Sequence, residues 1–130
     1  MTSLKRCDIV IADVGPTSET SSVQAGLRPA VVLQNDKQNA ASPTTIIAPI
    51  TSVLKKTDMS SHVVLGCRFG LRKDSMILLE QTRTINQTSI IKTVGQIDDD
   101  SVVARINTGL LKTFGISESD ILNSEPSHRG

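Results

Sequence analysis

Apolar residues along this chain fall into short runs separated by polar turns, and only one stretch departs from strand-like runs for a helical period. The first run, CDIVIADV at residues 7–14, is rich in β-branched residues and closed by Gly15-Pro16, which predicts a strand. PTSETSSVQAG, residues 16–26, is a loop of small polar residues, long enough to be functional. RPAVVLQN at 28–35 predicts a second strand, with Pro29 restricted to its first residue or an edge. A loop, DKQNAASP at 36–43, leads to TTIIAPITSVL at 44–54, a third strand whose internal Pro49 suggests an edge or a bulge.

HVVL at 62–65 predicts a short strand, and GCRFGLRKD at 66–74 a turn rich in cations. SMILLEQTRTI at 75–85 reads as the longest continuous strand, and SIIKTVGQI at 89–97 as the last. Val102, Val103, Ile106, Leu110 and Leu111 then recur at helical spacing. Asp98, Asp99 and Asp100 suit the start of that helix and Gly115 its end. Residues 117–130 have no sustained period and are expected to be a flexible tail. Many short strands closed by one helix imply a mainly β fold, a strongly bent sheet or partial barrel rather than a parallel α/β architecture.

Composition narrows the function. At 130 residues the chain makes one ordinary domain, and 38% hydrophobic with 21% charged residues is a globular balance. No apolar run approaches the ~20 residues of a membrane span, and Asp8 and Asp13 break the pattern of a signal peptide. A cytoplasmic protein with no membrane partner is expected. The net charge of +1 does not advertise a polyanion binder, although a local patch matters more than the total. Phe69 and Phe114 are the only aromatic residues, which argues against binding by a row of stacked bases. Cys7 and Cys67 form no CxxC pair, and His62 and His128 lack ligand spacing. No metal and no cofactor are expected.

Arg28 carries the clearest chemical signal. A residue before proline is driven into an extended conformation, so Arg28 leaves the backbone in a restricted direction, at the lip of a strand. Gly26 lets the preceding loop turn there. A planar, permanently charged fork held this way suits a phosphate or a carboxylate. The alternative is a structural salt bridge to an acid such as Asp36.

Three blocks, IADVGPT…QAGLRPAVVLQND, SPTTIIAPITS and DSMILLEQTRTI, resemble in order and spacing the signature blocks of the MazF/PemK family of toxin endoribonucleases. The likeness runs from about Lys5 to Leu111. It implies a small SH3-like β-barrel with a C-terminal helix, a toxin domain over residues 1–116 and a tail over 117–130. It also implies a homodimer, a cognate antitoxin with an acidic flexible segment, and DNA contact, if any, through that antitoxin alone. The implied activity is metal-independent, sequence-specific cleavage of single-stranded mRNA, leaving 2′,3′-cyclic phosphate and 5′-hydroxyl ends.

The family's catalytic pair falls on Arg28 and Thr51, and its groove-lining positions on Gln81 and Arg83, with Ser22 and Gln24 in the loop over the groove. One departure stands out: Ser21 and Val23 occupy positions where the family commonly has glycine and glutamate, while Glu19 lies further back. A non-enzymatic toxin of the same fold that inhibits DNA gyrase is the competing class, but it lacks the Arg-Pro and LEQ-x-RT blocks. Two smaller expectations complete the reading. If 75–85 is one strand, Gln81 and Arg83 share a face, and Glu80 needs a bend to reach Arg83. Arg68, Arg72 and Lys73 either position phosphate or form a solvated turn balanced by Asp74.

Overall fold

The structure, a computed structural model, describes residues 3–15 and 26–123. Seven strands form one antiparallel sheet: β1 (Asp8–Asp13), β2 (Leu27–Val32), β3 (Thr44–Thr51), β4 (His62–Gly66), β5 (Ser75–Leu78), β6 (Arg83–Asn86) and β7 (Ile90–Gln96). The order is β4-β5-β3-β2-β1-β7, with β6 pairing with β3. Helix α1 (Asp36–Ala41) joins β2 to β3, and α2 (Asp100–Thr113) and α3 (Glu118–Asn123) follow the sheet. The mainly β fold with a C-terminal helix is as expected. No helix among the described residues is long and apolar enough to cross a membrane.

Both faces of the sheet are buried near its centre. Ile9, Val31, Ala48 and Ile50 point to one side, where they meet Val102 and Ile106 of α2. Their neighbours Val10, Ala30, Val32 and Ile47 form a second cluster on the other side. This two-sided burial explains why the strands read as near-continuous apolar runs rather than strict alternations.

The ladder does not close into a barrel: it starts at β4 and ends at β7. Two glycines bring the ends together instead. A Cβ on Gly95 of β7 would lie 1.9 Å from the Phe69 carbonyl oxygen, and one on Gly70 would lie 2.2 Å from that of Val94. The β4–β5 turn therefore rests directly on the β7 backbone, an approach open only to residues without a side chain. Arg68 of that turn is committed elsewhere than expected. It stacks on Phe69, 4.4 Å from the ring centroid, and bonds Asp99, the N-cap of α2, at 2.7 Å. That partner, with the Ser101 and Val102 N–H groups, holds the Asp99 carboxyl well below the usual carboxylate range.

Three local elements differ from the sequence expectation. Residues 36–41, expected as loop, form α1 because the Asn35 side chain caps it by accepting from Gln38 N at 2.8 Å. Its one buried residue is polar: Asn39 bonds Gln34 and Thr45, so no apolar period announces the helix. The strand expected over 75–85 is cut by a 3₁₀ turn at Leu79–Gln81. Leu79 is fully buried and its N–H bonds Ser61 O at 2.8 Å. Against it lies Gly109 of α2, where a Cβ would come within 2.6 Å of Leu79 Cδ1. Finally, residues 118–123, expected as tail, form a short helix, α3, with no buried residue.

Replacing Gly95 by Ala forces a methyl into the Phe69 carbonyl. We expect a loss of stability of at least about 1–3 kcal/mol, the usual cost of overpacking. It should be read as a lower urea midpoint with an unchanged slope.

Candidate active site

The site is set by strand register. In β2 and β3, Ala30 pairs with Pro49, Val31 with Ala48 and Val32 with Ile47. Extending that ladder by two residues sets Arg28 opposite Thr51, the last residue of β3. Arg28 also pairs with Ala12 on β1, and Arg83 with Ile47 on β3. Directly opposed residues share a face, and Ala12, Ala30 and Ile47 all belong to the second apolar cluster. Arg28, Thr51 and Arg83 therefore extend one face of the sheet from three strands. A hydroxyl and two guanidinium groups replace the apolar side chains where the strands end.

Each side chain has a local support. Thr51 is buried, and its Oγ1 accepts the Val53 N–H at 3.0 Å, which ends β3 three residues before the expected boundary. With a lone pair so engaged, the hydroxyl proton is free to be donated. Arg28 is half-buried with its Nε shielded from solvent. Asp36, the structural alternative as its partner, sits beyond the far end of β2 and accepts from the Arg6 N–H at 2.7 Å. Arg83 donates through Nη1 to Val14 O.

The corner after β1 ties the two arginines together, and the sequence reading did not single it out. Asp13 Oδ1 accepts from Gly15 N at 3.0 Å, and Gly15 takes a left-handed φ of 75°. Val14 N donates to Gly26 O at 2.6 Å, while Val14 O receives Arg83. One residue thus anchors the lead-in to Arg28 with its N–H and the Arg83 guanidinium with its carbonyl. Asp13 followed two residues later by glycine is a readable signal of such a turn.

Gln81 lies in the 3₁₀ turn with its amide oxygen buried, so strand alternation no longer places it on the face of Arg83. Glu80 faces His62, at 3.1 Å, rather than Arg83. Ser22 and Gln24, with Glu19, Ser21 and Val23, lie outside the described residues.

A Cβ on Gly26 would stand 2.7 Å from Asp13 Oδ1. Gly26→Ala should therefore push Asp13 off Gly15 and cost on the order of 1–2 kcal/mol. In an Asp13→Ala background the same change should cost much less. Urea denaturation of the four proteins checks this coupling.

Comparisons with known proteins identify the family and the fold. Residues 5–114 match the family model described as PemK-like, MazF-like toxin of type II toxin-antitoxin system. The chain is 41% identical over 98 residues to endoribonuclease EndoA of Bacillus subtilis, covering 75% of this chain and 83% of that protein. It is 38% identical over 97 residues to endoribonuclease MazF of Staphylococcus saprophyticus, covering 74% of this chain and 79% of that one. The fold superposes on Mycobacterium tuberculosis toxin MazF-mt6 with a TM-score of 0.71 at 18% identity, over 85% of this chain and 98% of that one. Deinococcus radiodurans MazF gives 0.71 at 20% identity, over 89% and 100%. A family match over residues 5–114, with relatives about 40% identical over most of their length, leaves one assignment: the protein belongs to the PemK-like, MazF-like toxin family of type II toxin–antitoxin systems.

Proposed function

We propose that this chain is the toxin of a type II toxin–antitoxin pair, a metal-independent endoribonuclease that cuts single-stranded mRNA at a preferred sequence. The observation that carries the reading is the β2–β3 register, which, continued two residues past the Ala30–Pro49 pair, sets Arg28 opposite Thr51 with Arg83 on the same face. Two curated relatives named as endoribonucleases support it and give no weight to the gyrase-binding alternative. The match over 5–114 supports a toxin domain of residues 1–116, with 117–130 as an appendage.

RNA carries its own nucleophile, the 2′-hydroxyl, beside the phosphate it attacks. The protein has to position that phosphate and stabilise charge growing on its oxygens. Arg28 presents two parallel N–H donors to the phosphorane, and Thr51 adds a hydroxyl. Attack by the 2′-oxygen forms the cyclic phosphate as the bond to the 5′-oxygen breaks, and that oxygen leaves protonated. A guanidinium is a poor base, so Arg28 serves as the electrostatic centre rather than as the proton acceptor. Arg83, with Ser22 and Gln24 from the loop, contacts the RNA around the scissile phosphate, and the turn that carries Gln81 borders the groove.

The active species is a homodimer, and an antitoxin's acidic segment competes with RNA for the Arg28 groove. Phe114, Ile116, Ile121 and Leu122, all exposed around α3, supply apolar surface for self-association. Solved complexes of a Deinococcus radiodurans MazF with MazE support an antitoxin partner. Light scattering at micromolar concentration should give twice the chain mass, and a monomer contradicts the dimer.

Arg28→Lys keeps the charge but loses the planar fork, and single-turnover cleavage should fall on the order of a hundredfold or more. Melting temperature and RNA affinity should change far less, because the lost contact is made mainly in the transition state. Thr51→Ala should behave alike but more mildly, and wild-type cleavage should persist in excess EDTA. Near-normal cleavage by Arg28→Lys, or rescue of a chelated enzyme by magnesium, overturns the mechanism.

A further inference from the structure

The segment between Thr51 and β4 is held at both ends by side chains. At the front, Thr51 Oγ1 accepts Val53 N–H. At the rear, His62 Nδ1 lies 3.0 Å from Lys55 O and 3.1 Å from Lys56 O, with Lys56 itself in a left-handed φ of 50°. The other ring nitrogen, Nε2, lies 3.1 Å from Glu80 Oε2 in the 3₁₀ turn that also carries Gln81. The His62 side chain is only 9% exposed, against 40% for Glu80. One imidazole thus joins the segment after Thr51 to the turn that ends in Gln81.

Carbonyl and carboxylate oxygens can only accept. A neutral imidazole has one N–H, so it can satisfy one side of this arrangement; the imidazolium has two and satisfies both. Lys55 and Lys56 face the ring through their neutral backbone carbonyls, and the charged side chains nearby are Asp58 and, on α2, Arg105, which line the adjoining cleft of about 350 Å³. From these contacts we propose that His62 is a positioning residue for the cleavage site, clamping the Thr51 segment to the Gln81 turn in its protonated form and releasing one side when it loses its proton. The inference rests on the endoribonuclease reading for its effect on turnover, but not for the clamp itself.

The balance of local effects has the required sign. Burial pulls the His62 pKa down, but the Glu80 hydrogen bond and charge and the two carbonyls outweigh it, so the net shift is upward from 6.5. A group whose folded pKa is raised contributes fully below its unfolded value, and that contribution is lost as pH rises through the folded value. The clamp is therefore closed on the acidic side and opens as pH climbs through the raised His62 pKa.

Glu80 gives the test, because its two replacements act in opposite ways. The carboxamide of Glu80→Gln accepts from imidazolium and donates to neutral imidazole, so it keeps the clamp in both states. Glu80→Ala removes it in both. Single-turnover cleavage of a single-stranded RNA is compared from about pH 6 to about pH 9, each variant as a ratio to wild type so that intrinsic reactivity of the 2′-hydroxyl cancels. Below the His62 transition, Glu80→Ala should be about three- to tenfold slower than wild type and Glu80→Gln equal to it, the scale of the net contribution of one solvent-accessible hydrogen bond. Above the transition, Glu80→Ala should match wild type and Glu80→Gln should be faster by the same factor. Ratios that do not change with pH overturn the proposal.

Amide exchange at Lys55–Met59 and at Gln81, followed with the NMR titration of His62 on the same samples, reads the clamp without RNA. Exchange that does not follow the His62 titration in wild type also overturns it. If no protein cleaves RNA while exchange follows the titration, the endoribonuclease reading fails and the clamp stands.

Discussion

The pairing of β3 is the constraint on which the rest depends. One edge of this strand carries β2; the other carries β6 along residues 44–47 and then β5 at residues 50 and 51. The change of partner falls around Pro49, whose missing N–H suits an interruption in a ladder. The three-residue turn at Leu79–Gln81 takes up the offset between β5 and β6. Burial of Leu79 against Gly109 holds that offset, so helix packing on one face of the sheet supports the pairing of β5 and β6 with β3, which places Thr51 and Arg83 on the other. A one-residue slip of β3 against β2 would send Thr51 to the wrong side.

Much of this was legible in the sequence, for a physical reason. Strands buried on both faces leave unbroken apolar runs, and turns mark their ends with glycine and proline, so six of the seven strands and α2 could be located. Arg28 could be singled out because the following proline restricts it. What could not be read were structures held by polar or non-local contacts. Helix α1 is capped by Asn35 and anchored through Asn39, neither of which looks like core. The break at Leu79 is invisible in SMILLEQTRTI because its causes, Ser61 and Gly109, lie elsewhere in the chain.

The candidate site divides along the same line. Arg28 stood out through its Arg-Pro step, and Thr51 and Arg83 through the family resemblance of their blocks, while their convergence required the register. The Asp13–Gly15 corner and the His62–Glu80 pair were missed as functional elements because they act through backbone groups, the Val14 carbonyl and the Lys55 and Lys56 carbonyls. Such contacts have no residue-type signature beyond the turn they stabilise. The site is built on strand ends, but its precision depends on turns.

Arg28 and Thr51 are proposed to act together on one phosphate, because the β2–β3 register, continued two residues past Ala30–Pro49, sets them opposite each other. A double-mutant cycle of single-turnover cleavage with Arg28→Lys, Thr51→Ala and the double variant measures this most directly. Strong non-additivity is expected, with Thr51→Ala costing little more once Arg28 is replaced. Losses that simply multiply would mean that the two residues serve the reaction independently, and would contradict it.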